Sequence, residues 1–101
     1  MLYRDRKRDF MKTIEELRTK INEIDKEIAN LFEQRMYCVK EIAQNKMELG
    51  LPILDSNREQ EVIQKNSQYV NDELKEYYIE LLAKFMELSK EYQKKVINEN
   101  K

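Results

Sequence analysis

The stretch from Thr13 to about Met47 constrains the fold most, because it is one unbroken helical pattern without Gly or Pro. Apolar side chains recur in it three and four residues apart, a spacing that places them along one side of a helix. This apolar seam consists of Ile14, Leu17, Ile21, Ile24, Ile28, Leu31, Cys38 and Ile42. Arg35 interrupts it. The pattern therefore predicts one long amphipathic helix.

The length of this helix predicts a second copy of the chain. Roughly 35 residues at about 1.5 Å each make a helix of ~50 Å. A compact monomer of 101 residues has a radius of gyration of only about 13 Å. The helix cannot be buried within its own globule, so we expect an intertwined homodimer with this helix as the shared element.

Composition supports an all-α fold. Charged residues make up 39% of the chain and hydrophobic residues 41%, with one Gly and one Pro, which suits long charged helices and leaves few turn residues for a sheet. The net charge of −1 gives no global attraction to nucleic acid or to an anionic membrane. We therefore expect neither as a partner.

Several classes of chemistry are excluded by what the sequence lacks. There is no His, which excludes acyl-transfer triads and zinc sites that contain His. Cys38 is the only Cys, and its seam position predicts a buried, reduced thiol rather than a reactive one. No segment approaches about 18 apolar residues, and the N-terminus lacks the apolar core of a signal peptide. We expect a cytoplasmic protein.

Capping signals divide the chain into a long, a short and a long helix. Residues 1–12 precede the pattern and read as a frayed or flexible extension, leaving 13–101 as the domain. Thr13 with Glu16 forms a capping box that starts the first helix. Gly50 favours the left-handed turn that ends a helix, and Pro52 cannot continue one.

The second and third helices follow from the same signals. Ser56 with Glu59 forms another capping box, with Asp55 as a competing cap, and starts a short helix over about 56–67. Polar residues at 66–72 indicate a loop. The third helix runs from Glu73 to about Asn98. Its apolar set is Leu74, Tyr77, Tyr78, Leu81, Leu82, Phe85, Leu88, Tyr92 and Val96.

A few basic residues stand where a solvated charge is not expected. Arg35 occupies a seam position, so either an anion meets it or it fixes the register of helix pairing. Lys46 lies close to three turns further on and points the same way within about 20°, with its Cα ~16 Å from that of Arg35. Arg58 and Glu59 open the short helix, whose N-terminus also favours anions. This pattern indicates an anion site near the turn, although ion pairs at helix ends are also common without a ligand.

Three segments together resemble the all-helical class of chorismate mutases. The segments are Leu17, Arg18, Ile21, Ile24, Asp25, Ile28, Leu31 and Arg35; then Lys46, Gly50, Leu51, Pro52, Ile53, Asp55, Arg58 and Glu59; and finally Phe85, Ser89 and Gln93. The resemblance covers about residues 14 to 96. It implies an enzyme that rearranges chorismate to prephenate in phenylalanine and tyrosine biosynthesis, without metal or cofactor.

The resemblance also implies roles for individual residues. Arg18 and Arg35 would bind the two substrate carboxylates, assisted by Ser89. Lys46 and Gln93 would donate hydrogen bonds to the ether oxygen of the breaking C–O bond. Together with Arg35, these two would form the catalytic set. Because the connection before the third helix varies in length in this family, Ser89 and Gln93 are placed by their motif and one-turn spacing.

The remaining substrate contacts fall at the start of the short helix. The resemblance implies that Glu59 and the backbone at Asp55 hold the ring hydroxyl, while Arg58 steadies the site. It also implies that Arg18 serves the partner's site, because the 28 residues between Arg18 and Lys46 span about 42 Å of helix. One small dianion cannot bridge that distance.

This chemistry suits a chain without His. A concerted [3,3] rearrangement needs no nucleophile or proton transfer, only an oriented substrate and fixed positive charge at the ether oxygen. Two alternatives remain from the sequence: an isochorismate pyruvate-lyase on the same fold, which would bind a nearly identical dianion, and a non-catalytic helical interaction or regulatory module.

Overall fold

Three α-helices make up the computed structural model, which describes residues 12–101. They are α1 (Ile14–Leu49), α2 (Ser56–Asn66) and α3 (Lys75–Glu99), and no strand occurs in this range. The predicted all-α, long-short-long order is confirmed. The predicted extension 1–12 lies, except for its last residue, outside the described residues, so the domain boundary at residue 13 stays a prediction.

The start of α1 follows the predicted capping signal. The Thr13 hydroxyl oxygen accepts a hydrogen bond from the backbone N–H of Glu16 at 3.1 Å. The Thr13 carbonyl accepts from the N–H of Leu17 at 3.0 Å. Glu15 and Glu16 add negative charge in the first turn, where the helix dipole favours it. Thr13 thus satisfies backbone N–H groups that a helix start otherwise leaves unpaired.

The end of α1 is a left-handed glycine turn. Gly50 has φ +67°, and the N–H of Leu51 donates to the Lys46 carbonyl at 2.8 Å while the N–H of Gly50 approaches that of Met47 at 3.4 Å. These are the two hydrogen bonds of a Schellman motif. A Cβ added at Gly50 would meet nothing within 4 Å. Backbone conformation, rather than space, therefore requires glycine here.

The competing cap, Asp55, starts α2, so the capping box predicted at Ser56 and Glu59 is wrong. The Asp55 side chain accepts a hydrogen bond from the N–H of Arg58 at 3.0 Å, and its carbonyl accepts from the N–H of Glu59 at 3.0 Å. Ser56 is the first helical residue. The Glu59 carboxylate pairs with Lys90 instead of reaching back to the helix start.

Two short 3-10 turns, Ser67–Tyr69 and Asp72–Leu74, connect α2 to α3. They occupy the predicted loop and also Glu73 and Leu74, so the third helix begins at Lys75 and not at the predicted Glu73. In α3 the buried positions repeat at alternating four- and three-residue steps, which is the inward face of a helix. They are Leu82, Met86, Ser89, Gln93 and Val96. Two polar residues therefore stand in an otherwise apolar row.

The chain divides into two compact units, 1–34 and 35–101. In the first, the apolar seam is exposed, from 43% at Ile24 to 68% at Ile14. The second has its own core of Val62, Leu82 and Met86, with Ile63, Tyr78 and Phe85 packed against it. No helix within residues 12–101 has the length and apolar character needed to span a membrane.

Within the second unit, the most buried positions of α1 do not coincide with its seam. Val39 is 7% exposed and Ala43 is fully buried, whereas Ile42 is 46% exposed. Cys38 is also exposed, so the prediction of a buried thiol is wrong for the single chain. The inward face is rotated by one residue, about 100° around the helix, from the face that the seam marks.

Candidate active site

A cavity of about 390 Å³ lies in the second unit. The C-terminal half of α1, the connection after it, α2 and α3 all contribute to its lining. Val39, Val62 and Met86 supply apolar surface, and charged side chains surround it. The volume suits a small organic molecule.

Arg35 enters this cavity from α1 without an anionic partner. Its Nη1 donates a hydrogen bond to the Ser89 hydroxyl at 2.8 Å, and its guanidinium carbon lies 5.4 Å from the centre of the Phe85 ring. No carboxylate among residues 12–101 forms an ion pair with it. A half-buried guanidinium that is held by neutral groups remains available to an anion.

Lys46 enters from the last turn of α1 and is likewise held by a neutral group. Its Nζ donates to the Ile53 carbonyl at 2.7 Å, and no ion pair forms with it in the described part of the chain. The glycine turn at Gly50 reverses the chain, which brings Ile53 to the lysine. Lys46 is therefore an oriented cation with unused donor capacity.

The start of α2 contributes both positively and negatively charged side chains to the cavity. Asp55 caps the helix. Arg58 lines the cavity, but its Nη1 pairs with Glu61 at 3.0 Å, and both side chains are 62% exposed. Glu59 instead pairs with Lys90 of α3 at 3.0 Å. This end of the cavity thus carries two carboxylates beside two cations.

Ser89 and Gln93 form the polar part of the α3 wall, one turn apart and each 7% exposed. The hydroxyl of Ser89 accepts the Arg35 hydrogen bond. The amide oxygen of Gln93 is buried without a hydrogen-bond partner among the described residues. A buried acceptor in this state costs about 1–3 kcal/mol, so a donor from a ligand would be favourable here.

The charge balance of the lining favours an anionic ligand. Four cations, Arg35, Lys46, Arg58 and Lys90, face two carboxylates, Asp55 and Glu59. The two cations that form no ion pair within residues 12–101 enter from α1, whereas both carboxylates belong to the start of α2 and its cap. A dianion with a second, hydroxyl-bearing part matches this distribution.

The family model of chorismate mutase type II matches residues 17–94. This span is well over half of the chain. The chain belongs to that family. It is also similar to a chorismate mutase of Methanocaldococcus jannaschii, with 46% identity over 44 residues. That match covers 44% of this chain and 44% of the relative, so the chain spans less than half of the curated protein that it matches. No solved structure matches significantly.

Family membership makes the placement of the predicted site residues informative. Every predicted site residue except Arg18 lines the one cavity. Arg18 belongs to the first unit and is exposed. The sequence thus predicted a group of side chains that the second unit gathers from three helices. Their roles stay predictions.

Sequence reasoning missed Lys90. It lines the same cavity and bridges α3 to Glu59 of α2. A signal was present, because Lys90 lies three residues before Gln93, and helix residues at this spacing share a face. It was not distinguishable from the many solvated lysines of a chain that is 39% charged.

Proposed function

We propose that this chain is a chorismate mutase, an isomerase that converts chorismate to prephenate in phenylalanine and tyrosine biosynthesis in the cytoplasm. The observation that carries the proposal is the pair of cations from one helix, Arg35 and Lys46, that enter one cavity and form no ion pair with a carboxylate of residues 12–101. Membership of the chorismate mutase family indicates chorismate as the substrate. The cavity supplies the charge and the volume that this dianion requires.

Arg35 would bind one substrate carboxylate. The guanidinium presents a planar fork of donors that pairs with a carboxylate through two hydrogen bonds. Ser89 holds one nitrogen of the fork at 2.8 Å and Phe85 supports its face. This pre-orientation reduces the entropy lost when the flexible enolpyruvyl arm is placed over the ring.

Lys46 and Gln93 would act on the ether oxygen. As the C–O bond breaks and the C–C bond forms, negative charge develops on this oxygen, and donors that are fixed beforehand stabilise the transition state more than the substrate. Lys46 offers a compact positive charge. Gln93 would offer its amide N–H, a neutral donor that needs no protonation.

The start of α2 would recognise the ring. Glu59 and the backbone at Asp55 would hold a ring hydroxyl through hydrogen bonds. Arg58 adds positive charge at the rim, although Glu61 holds it there. No step at this end involves bond breaking, so these residues would fix orientation.

The direct test is turnover. The protein is incubated separately with chorismate and with isochorismate, and prephenate or salicylate with pyruvate is measured by chromatography. Prephenate from chorismate supports the proposal. Salicylate and pyruvate from isochorismate, without prephenate, would assign the pyruvate-lyase reaction instead, and no turnover of either would indicate a non-catalytic module.

We also propose that a second copy of the chain covers the apolar seam. Six large apolar side chains of the first unit are between 43% and 68% exposed, and a contiguous apolar surface of this kind marks an interface. The Arg18 assignment requires the same partner. The unfolding midpoint should therefore rise with protein concentration, and a folded, active monomer at nanomolar concentration in sedimentation would contradict the dimer.

Mixing two inactive variants tests the shared site. Arg18→Ala and Arg35→Ala should each be nearly inactive alone. When they are unfolded together and refolded in equal amounts, about half of the dimers should be mixed, each with one intact site, and roughly a quarter of wild-type activity should return.

A matched mixture provides the control. Arg35 and Lys46 line one cavity of one chain, so a refolded mixture of Arg35→Ala and Lys46→Ala should stay inactive because no mixed dimer has an intact site. If the first mixture behaves like this control although mixed dimers have formed, Arg18 is not supplied by the partner.

A further inference from the structure

We propose that Lys90 is a positioning residue that acts through Glu59, holding this carboxylate in place and cancelling its charge towards a dianionic substrate. The inference rests on the proposed function, since it concerns the same cavity. Lys90 itself need not touch the reacting atoms. Its effect should be transmitted entirely by the carboxylate with which it pairs.

The ion pair between Lys90 and Glu59 connects α3 to α2. The Lys90 Nζ lies 3.0 Å from one Glu59 carboxylate oxygen and 3.5 Å from the other. One nitrogen thus approaches both oxygens, which restricts rotation of the carboxyl group. Because Glu59 is on α2 and Lys90 on α3, the pair also fixes the carboxylate relative to Ser89 and Gln93, which flank the lysine on its own helix.

This pair differs from the other ion pairs of residues 12–101. Those join residues three apart, Arg58 with Glu61, Lys75 with Asp72 and Lys84 with Glu87, and at least one side chain in each is more than half exposed. The Lys90 and Glu59 side chains are 33% and 27% exposed and both line the cavity. Lower exposure means weaker screening by water and a larger effect of the pairing.

The need for Lys90 follows from charge. An ionised Glu59 is a suitable acceptor for a substrate hydroxyl, and a carboxylate has about four lone-pair directions, so the lysine leaves capacity for that bond. The same negative charge opposes entry of a dianion. Lys90 removes the repulsion and keeps the acceptor. The neighbouring cations have other partners, because Arg58 pairs with Glu61 and Lys46 donates to the Ile53 carbonyl.

The experiment is a double-mutant cycle in chorismate kinetics. Lys90→Met keeps the length of the side chain and removes its charge, and it should raise KM roughly tenfold while kcat falls less. Lys90→Arg should restore KM to near the wild-type value. In the Glu59→Gln background, position 59 carries no negative charge, so Lys90→Met should change KM by less than about twofold.

Lys84→Met is the matched control, because Lys84 pairs with Glu87 on the same helix and does not line the cavity. It should leave KM and kcat unchanged. Thermal unfolding of every variant separates stability from binding. Should Lys90→Met not fold, Lys90→Gln replaces it with the same expectations.

Each other result has a definite meaning. An equal effect of Lys90→Met with and without Glu59 overturns the inference, because the lysine would then act on the substrate directly. A Lys90→Met variant with wild-type KM also overturns it, since the pair would be structural only. A wild-type protein that does not convert chorismate overturns the proposed function and this inference together, whereas an active wild type with an additive cycle overturns the inference alone.

Discussion

The two units of this chain differ in how far their apolar side chains are buried. In the first, the large aliphatic residues of α1 are exposed, with Leu31 at 60%. In the second, α1 presents Val39 and Ala43 inward, and α2 and α3 bury Val62 and Leu82. The second unit therefore has a core and a cavity of its own, whereas the first has an apolar face whose burial requires another molecule. The proposed dimer depends on the first unit, and the proposed chemistry depends mainly on the second, to which every proposed site residue except Arg18 belongs.

Core truncations should give the largest effects and test this difference directly. Leu82→Ala removes a side chain that is 3% exposed and should lower the free energy of unfolding by about 2–5 kcal/mol. Ile24→Ala should lower the free energy of unfolding by a similar amount if a second copy of the chain covers the seam. Urea unfolding monitored by circular dichroism measures both.

Leu81→Ala is the matched control for exposure. Leu81 is 47% exposed and Ile24 is 43% exposed, so on the single chain alone the two truncations should cost nearly the same. A cost for Ile24→Ala well above that of Leu81→Ala shows that the seam is covered. Equal small costs would mean that the first unit stays uncovered in solution.

Removing Lys46, the proposed donor to the ether oxygen, should affect chemistry and not the fold. Lys46→Ala should lower kcat by roughly 10²–10³-fold, the scale for loss of one donor aimed at developing charge. Steady-state kinetics with chorismate measures the loss, and circular dichroism checks the fold. Lys40→Ala, an exposed lysine of the same helix outside this cavity, should retain activity. Similar rates for the two variants would remove Lys46 from the mechanism.

Gln93→Glu should have a smaller effect that depends on pH. An ionised carboxylate at this position would repel the developing negative charge, whereas a protonated one can donate a hydrogen bond. We expect about a tenfold loss of kcat at neutral pH that is recovered in acid. The pH profile of kcat measures this. Gln44→Glu, on α1 outside the cavity, is the control, and identical profiles for both variants would contradict the role of Gln93.

The smallest expected effect concerns a surface pair of the second unit. A hydrogen bond from Lys75, together with its positive charge, lowers the pKa of Asp72 below 3.8, and the two groups lie 2.9 Å apart. A lowered folded-state pKa means that the stabilisation is present above pH 3.8 and is lost as the pH falls through the folded value.

Because Asp72 is fully exposed, Asp72→Asn should shift the urea midpoint only slightly at pH 7 and not at all in strong acid. Glu73→Gln is the control. A large shift from Asp72→Asn would show that surface charge, rather than the core around Leu82, dominates the stability of the second unit.

Local signals in the sequence predicted most of the fold. Caps and turns depend on nearby residues, so the helix start at Thr13 and the left-handed turn at Gly50 were predicted correctly. Two adjacent caps compete within a fraction of a kcal/mol, which is why Asp55 was ranked below Ser56. The face of α1 that turns inward depends on contacts with distant residues, and the seam therefore misplaced Cys38.

The grouping of side chains in the cavity was predictable for a different reason. Arg35 occupies a seam position where an apolar residue is expected, and Lys46 follows about three turns later, whereas Gln93 was predicted only through the family resemblance. Lys90 could not be distinguished by sequence from the other lysines of the chain. Its significance appears only when α2 and α3 pack and bring Glu59 to it, a contact between residues 31 positions apart.

The hydrogen bond from Lys46 to the Ile53 carbonyl has a consequence for the protein without a ligand. A neutral carbonyl can release the lysine, or share it, without leaving a stranded charge, whereas a carboxylate in its place would have to be separated from the lysine at every turnover. Arg35 and Lys46 thus remain available to bind anions. Phosphate or sulfate in the medium should therefore bind to these two residues and compete with the substrate.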